Sequence, residues 1–320
     1  MTRRRIRPVL AIAAAVLLIG IAIGYAIWVR PTESRVAPGA SISLAPDQLL
    51  VVTQRHLATV SAADPNGPRQ VSALSCNRVY AAAGTGVCLR QDSAWTYSLH
   101  VLDRDLKDTT SFPLPGLPNR ARVSTSGRMV SWTTFIAGES YTTSNFSTRT
   151  GILDTKSGAQ VQSLEAFDIT LDGQPYRAID VNFWGVTFAA DDNRFYATMS
   201  TNGVRYLVEG DFAAGTVHTI ATNVECPSLS PDGKRIAFKQ ALDGDPAAGW
   251  RLSVLDLATL RVTHLAETRS IDDQAAWLDD RTIGYTVRDS SGNPSVWSTP
   301  ADGSGQPKLL VNDAESPAAL

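Results

Sequence analysis

Reactive side chains are few in this 320-residue sequence. There are three cysteines (Cys76, Cys88, Cys226) and four histidines (His56, His100, His218, His264). Three adjacent acid pairs complete the set: Asp191-Asp192, Asp272-Asp273 and Asp279-Asp280. Paired carboxylates serve general acid–base and glycosidic chemistry when both converge on one bond. Adjacent residues of a strand point to opposite faces, and these pairs fall in turn-like surroundings, so they are read as solvated turns. The histidines show no ligand spacing and the cysteines no second close pair, which argues against a zinc site. Gly138-Glu139-Ser140-Tyr141 lacks the second glycine of a nucleophile elbow. Ala83-Gly84-Thr85-Gly86 precedes no helix, so it is a hairpin turn and not a phosphate cradle. The expectation is no catalytic residue, no metal ion and no cofactor.

Three cysteines suit an exported chain with one disulfide and one thiol left over. Cys76 and Cys88 are the expected pair, leaving Cys226. Geometry complicates this. A hairpin turning at Gly84-Thr85-Gly86 would set Cys88 opposite Ala82, six residues from Cys76. At about 3.3 Å per residue that distance cannot be bridged. Either the strand bends or the bond does not form.

The elements that position these residues follow from one stretch, Ser228–Phe238, which reads as strand, tight turn, strand. Pro231 presets a turn corner, Asp232 bonds its own backbone and Gly233 supplies a positive φ. Related segments begin at Ala45, Ser75, Ser124, Ala190 and Leu278, which makes six units. Residues 44–320 divided among six give about 46 residues each, a propeller-blade period. Each turn is followed by paired short strands, such as Leu252–Asp256 with Val262–Leu265, and no sustained helical period appears. The fold expected is an all-β, six-bladed β-propeller. The terminal Glu315-Ser316-Pro317-Ala318 parallels Glu225-Cys226-Pro227-Ser228, so the tail should supply the missing inner strand of blade one and close the ring.

Ser-Pro-Asp-Gly-Lys-Arg-Ile-Ala-Phe followed by a Val-Leu-Asp strand resembles the propeller repeat of TolB-like proteins. Trp297–Gly305 is similar to that repeat's outer hairpin. The resemblance covers roughly 41–320 and implies the propeller fold. No TolB role is carried over, because the N-terminus departs from that family's cleaved, soluble form.

Residues 8–29 carry no charge and follow Arg3, Arg4, Arg5 and Arg7. That is long enough for a transmembrane helix, and the positive-inside rule keeps residues 1–7 in the cytoplasm. The alternative is a cleaved signal peptide ending near Gly24-Tyr25-Ala26. Residues 30–43 read as a linker. The expected product is a single-pass cell-membrane protein with its propeller, residues 44–320, on the extracytoplasmic side. Without its first five arginines the chain sets 24 basic residues against 31 acidic ones, which argues against nucleic-acid binding.

In an up-down meander, loops between second and third strands and between blades share one face, opposite the turn motifs. The long segments 137–146, 165–181 and 241–250 fall on that face. Binding residues favour loops on rigid scaffolds, with Tyr, Trp and Arg prominent. Tyr141, Tyr176 and Arg177 are the leading candidates, with Trp184 and Trp250; Trp184 and Phe183 have a competing core-facing reading. The function expected is a monomeric protein-interaction module of the bacterial cell envelope, anchored through residues 8–29. The alternative is a propeller enzyme or saccharide-binding protein using the central channel. Convergent carboxylates at the channel mouth would favour the enzyme, and a broad aromatic patch the partner.

Overall fold

The computed structural model describes Leu18, Gly20 and residues 39–136 and 147–320. The expected membrane helix, but for Leu18 and Gly20, and Tyr141 lie outside the described residues. Among the described residues, no helix is long and apolar enough to cross a membrane.

Among the described residues six sheets follow one another along the chain, each built on a four-stranded antiparallel meander. Blade two is Arg78–Ala82, Thr85–Gln91, Tyr97–Leu102 and Asp108–Leu114, from the inside outwards. Blade three runs from Leu117–Val123 through Met129–Ile136 and Ser147–Asp154 to Gln160–Val161. Blade four has Asn182–Phe188, Arg194–Thr201, Val204–Asp211 and Thr216–Thr222. Blade five has Glu225–Leu229, Arg235–Ala241, Trp250–Asp256 and Val262–His264. Blade six has Ala276–Trp277, Thr282–Arg288, Pro294–Pro300 and Lys308–Val311. Blade one takes Gln48–Thr53, His56–Ser61 and Gln70–Ser75 from the start of the body and Glu315–Ala319 from the tail. The tail strand is innermost, with Leu49 opposite Ala319 and Leu50 opposite Ala318. The ring therefore closes as the repeated Glu-x-Pro segments predict.

Cores form where alternate residues of neighbouring blades meet. Met129, Ile152, Phe183, Phe195 and Met199 pack in one such seam. Phe238, Leu255, Ile236 and Leu207 pack in another. Where an aromatic ring crosses the sheet, the facing strand carries glycine: Trp132 opposite Gly151, Phe195 opposite Gly210. A Cβ on either glycine would lie 2.2 Å and 2.1 Å from the ring atoms.

Three local readings are corrected. The inner turn of blade two is Ala83-Gly84, not Ser75–Tyr80, and it does not run through Gly84-Thr85-Gly86: Ala82 pairs with Thr85. Both turn residues have positive φ, 49° and 76°, the mirror-type turn that matches strand twist. Cys88 then faces Val79 rather than Ala82. Cys76 sits at the step between blades, where its amide bonds Arg55 O and that of Asn77 bonds Leu89 O. Cys76 and Cys88 are disulfide-bonded, with Cα atoms 5.6 Å apart, and Cys226 is a buried free thiol.

Segment 165–181 is not a free loop. Asp168–Leu171 joins Thr216–Thr222 in parallel, and Gln174–Tyr176 adds a further strand outside it. Asp172-Gly173, with φ of 50° and 79°, makes the hairpin turn. The hairpin covers the outer edge of blade four, which would otherwise present unpaired amides.

Candidate functional site: the mouth of the central channel

Acid pairs Asp191-Asp192 and Asp279-Asp280 behave as turn residues. Asp191 Oδ1 accepts from the amides of Asn193 and Arg194, and Asp279 Oδ1 from that of Arg281. Asp272-Asp273 is divided: Asp272 is exposed, as the solvated reading has it, and the reading is corrected for Asp273 alone. The pair precedes the inner strand of blade six and reaches the channel, where Asp273 is buried against Arg78 at 3.0 Å.

Polar side chains of the inner strands bridge the channel, between neighbouring blades and, through Arg122, between opposite ones. Arg78 Nε donates to Asn119 O at 2.8 Å and its Nη1 to Ser316 Oγ at 3.0 Å. Arg122 Nη2 donates across to Ala275 O at 2.9 Å, and its guanidinium stacks 4.1 Å over Tyr80. Gln274 Nε2 donates to Pro227 O and Val186 O. The bridge separates a cavity of about 660 Å³ on the loop-rich face from one of about 250 Å³ on the turn face.

The loop-face cavity is walled by Leu117, Phe135 and Ile136 of blade three and by Trp184, Pro246 and Trp250 of blades four and five. Its floor is charged: Arg78, Arg120, Arg205, Lys239, Glu225 and Asp272. Inner strands bulge where they reach this level. Register slips between Trp184 and Thr187, between Glu225 and Ser228, and opposite Leu50–Val52. The bulged residues Gly185, Cys226 and Ser316 have φ of 67°, 51° and 55°. A bulge re-aims side chains locally, here towards the channel. Glu225 takes Arg205 Nε at 2.5 Å and Lys239 Nζ at 3.4 Å. Lys239 also meets Asp272 at 2.5 Å and lies 3.9 Å over the Trp250 ring.

Burial shifts these groups in different directions. Burial outweighs Lys239 and Arg205 and raises the Glu225 pKa above its ordinary value. Burial also opposes the charge on Asp273, but Arg78 and Arg120 prevail and lower its pKa. Around Arg120 burial is outweighed by Cys226, Asp273 and Asp272, and the guanidinium is raised.

Of the sequence candidates, this cavity brings together Trp184, which is buried, and Trp250, which is half-buried. Tyr176 and Arg177 lie instead on the outer hairpin of blade four. The Tyr176 hydroxyl is 2.8 Å from Thr201 Oγ1 and accepts from Asn202 Nδ2, and exposed Arg177 pairs with Asp168 at 2.9 Å. Sequence reasoning missed the basic floor, because its residues come from separate blades, Arg78 and Arg120 from inner strands and Arg205 and Lys239 from strands further out. It also missed Trp95, which is 91% exposed at the tip of a blade-two hairpin. The tip is braced by Asp92 N to Thr96 O at 2.9 Å and by Ser93 Oγ and Thr96 Oγ1 at 2.7 Å.

One further constellation has the order of a nucleophilic triad. Ser98 Oγ lies 2.7 Å from His100 Nε2, and His100 Nδ1 lies 2.8 Å from Asp108 Oδ2. Ser98 and His100 are buried, and the hydroxyl a nucleophile must present is spent inside the sheet, so the trio works as a strut in blade two.

No protein-family model and no curated protein matches the sequence, whereas solved structures do match. TolB from Acinetobacter baumannii superposes with a TM-score of 0.61 at 17% identity, over 85% of this chain and 66% of that one. The putative TolB from Agrobacterium tumefaciens gives 0.52 at 12% identity, over 86% of this chain and 90% of that one. A chain of the nidogen/laminin complex gives 0.56 at 11% identity, over 85% and 98%. This chain thus spans slightly less than two thirds of the Acinetobacter TolB chain. At such identities the likeness concerns architecture, and the architecture is a TolB-like six-bladed β-propeller.

Proposed function

We propose that this chain is a membrane-anchored, extracytoplasmic propeller that binds a protein partner of the cell envelope through its loop-rich face. The observation that carries this reading is where apolar side chains are left exposed. Of the seven large apolar side chains exposed on the described ring, the meander puts five, Trp95, Leu117, Ile179, Val204 and Leu242, on the loop-rich face of blades two to five, and two, Leu260 and Val262, on the turn face. Exposed tryptophan on a braced hairpin offers a large anchor at little ordering cost. Two TolB structures and a nidogen/laminin complex on the same architecture are consistent with a binding role. Anchoring rests on the uncharged stretch 8–29 behind four arginines.

Carboxylates do converge at the channel mouth, as an enzyme would need. Each of Glu225, Asp272 and Asp273 is already held by a cation, however, which leaves none free as a base. That favours the partner. The test is a photo-crosslinking residue placed at Trp95 or, on the opposite face, at Leu260, in intact cells. Adducts from position 95 and not from 260 are expected; the reverse pattern, or the same adducts from both, would reject the face. A reporter active only in the cytoplasm, fused after Leu320, should stay silent.

A further inference from the structure

The charges on the cavity floor do not balance. Arg78 is answered by Asp273, Arg205 by Glu225, and Lys239 by Asp272 and Glu225. Arg120 comes only within 3.7 Å of Asp272, a carboxylate that Lys239 already holds at 2.5 Å. Its one hydrogen-bonded oxygen is Asn119 O, at 3.2 Å. Its Nε, like those of Arg122 and Arg205, has no hydrogen-bond partner, and Arg120 is only 7% exposed. Cys226, on its bulge, stands beside it. Four cations therefore share three carboxylates, and the surplus positive charge falls on Arg120. A buried guanidinium whose nearest carboxylate is already held by another cation keeps room for a planar, two-oxygen anion.

Above this charge the walls are apolar and aromatic, and about 660 Å³ is far more than one inorganic anion fills. We propose that the loop-face cavity is a binding site for a monocarboxylate carried on an apolar body. Its carboxylate is seated on Arg120, and its body lies between Leu117, Phe135, Trp184 and Trp250. One surplus charge selects a monoanion over phosphate. The ligand is either a free organic acid or the C-terminus of a polypeptide, since both present the same group. The site does not depend on the partner reading: it can hold a free acid even if the loop face docks no protein.

The test is calorimetric titration of the full chain with 3-phenylpropanoate, its neutral amide and inorganic phosphate. The acid should bind about tenfold or more tighter than the amide, the worth of a charge-assisted hydrogen bond, and the preference should shrink as salt rises. Equal binding of acid and amide, phosphate binding as tightly as the acid, or no acid binding at about 10 mM would overturn the proposal. Arg120→Met should abolish the preference for acid over amide. Because that change falls in a buried network, Leu117→Glu is the second variant: Leu117 is 53% exposed at the rim, so the melting temperature should hold. The new carboxylate should weaken acid binding severalfold and amide binding little; undiminished acid binding would place the ligand elsewhere and defeat the assignment. A final pair of probes, acetyl-Ala-Ala-Phe and its C-terminal amide, separates the sources. If the peptide acid binds more tightly than phenylpropanoate the site takes a chain terminus, and if more weakly, a free acid.

Discussion

Removal of Glu315–Leu320 tests ring closure directly, and its cost can be built from the structure. The deletion strips the innermost strand from blade one, including the pairs Leu49–Ala319 and Leu50–Ala318 and the bond from Leu320 N to Gln48 O at 3.0 Å. Some four backbone hydrogen bonds at about 1 kcal/mol each contribute about 4 kcal/mol. Buried Ala318 is lost, and Leu50 and Val52 lose their cover. Half-exposing two such side chains costs about 2–3 kcal/mol. Arg78 loses Ser316 Oγ, and Arg288 loses the Glu315 carboxylate on the solvent side, for about 1 kcal/mol more. The total, about 7 kcal/mol, is comparable to the whole stability of an ordinary domain. At about 2 °C per kcal/mol for a body of this size, the midpoint should fall by about 14 °C, measured by differential scanning calorimetry. A truncated chain melting within about 3 °C of the parent would show that the tail strand adds little, and the closure argument would fail.

Other consequences are more local. Replacing Cys76 and Cys88 by serine opens a loop spanning 12 residues, which should cost about 3 kcal/mol by chain entropy; a thiol reductant should lower the parent's melting point similarly and leave the double variant unmoved. Gly151→Ala drives a Cβ into Trp132 and Gly210→Ala one into Phe195, so each should cost about 1–3 kcal/mol in urea denaturation. Glu165 is pushed up by burial from 4.5 to about 7, which favours its neutral form in the fold. The stability from this group is therefore complete below pH 4.5 and is lost as pH rises through 7. Glu165→Gln should accordingly match the parent near pH 4.5 and exceed it at pH 8 by up to about 3 kcal/mol, a difference that thermal melts at the two pH values would expose.

Much of the architecture was legible because a propeller writes itself as repeats. Pro231-Asp232-Gly233 is a turn by local chemistry, and Glu315-Ser316-Pro317 could be matched to Glu225-Cys226-Pro227 without knowing where either lay. Failures came where the local signal was weak or a different rule prevailed. Ala83 takes a positive φ that alanine rarely adopts, so the blade-two hairpin was centred too late, on Gly84-Thr85-Gly86, and the register around Cys88 slipped with it. Asp172-Gly173 is a hairpin signal that was passed over inside a segment taken for a loop. The site was scarcely legible. Arg78, Arg120, Glu225, Lys239 and Asp272 belong to blades two, three, five and six, and only ring closure brings them together. Nothing in the spacing of Arg120 and Asp272, 152 residues apart, announces that they face one floor.

The departures from local rules have a common address. On the turn face, positive φ values at Gly127, Asp192 and Gly233 do what hairpins require, and the turns interlock, as where Ser126 Oγ donates to the Asp192 carboxylate at 2.7 Å. At the opposite end of the inner strands no turn requires a positive φ, yet Cys226 and Ser316 adopt one, each at a cost of order 1–3 kcal/mol. The same level holds a buried arginine with an unpartnered Nε and a charged floor under tryptophan walls. A scaffold selected for stability alone would relieve these features, since glycine suits a bulge with positive φ and an apolar side chain suits a buried inner strand. Gly185 shows that the equivalent bulge in blade four accepts glycine. Their concentration at one mouth, beneath the face that exposes Trp95, Leu117 and Leu242, is the ground on which the proposed binding role of that face stands.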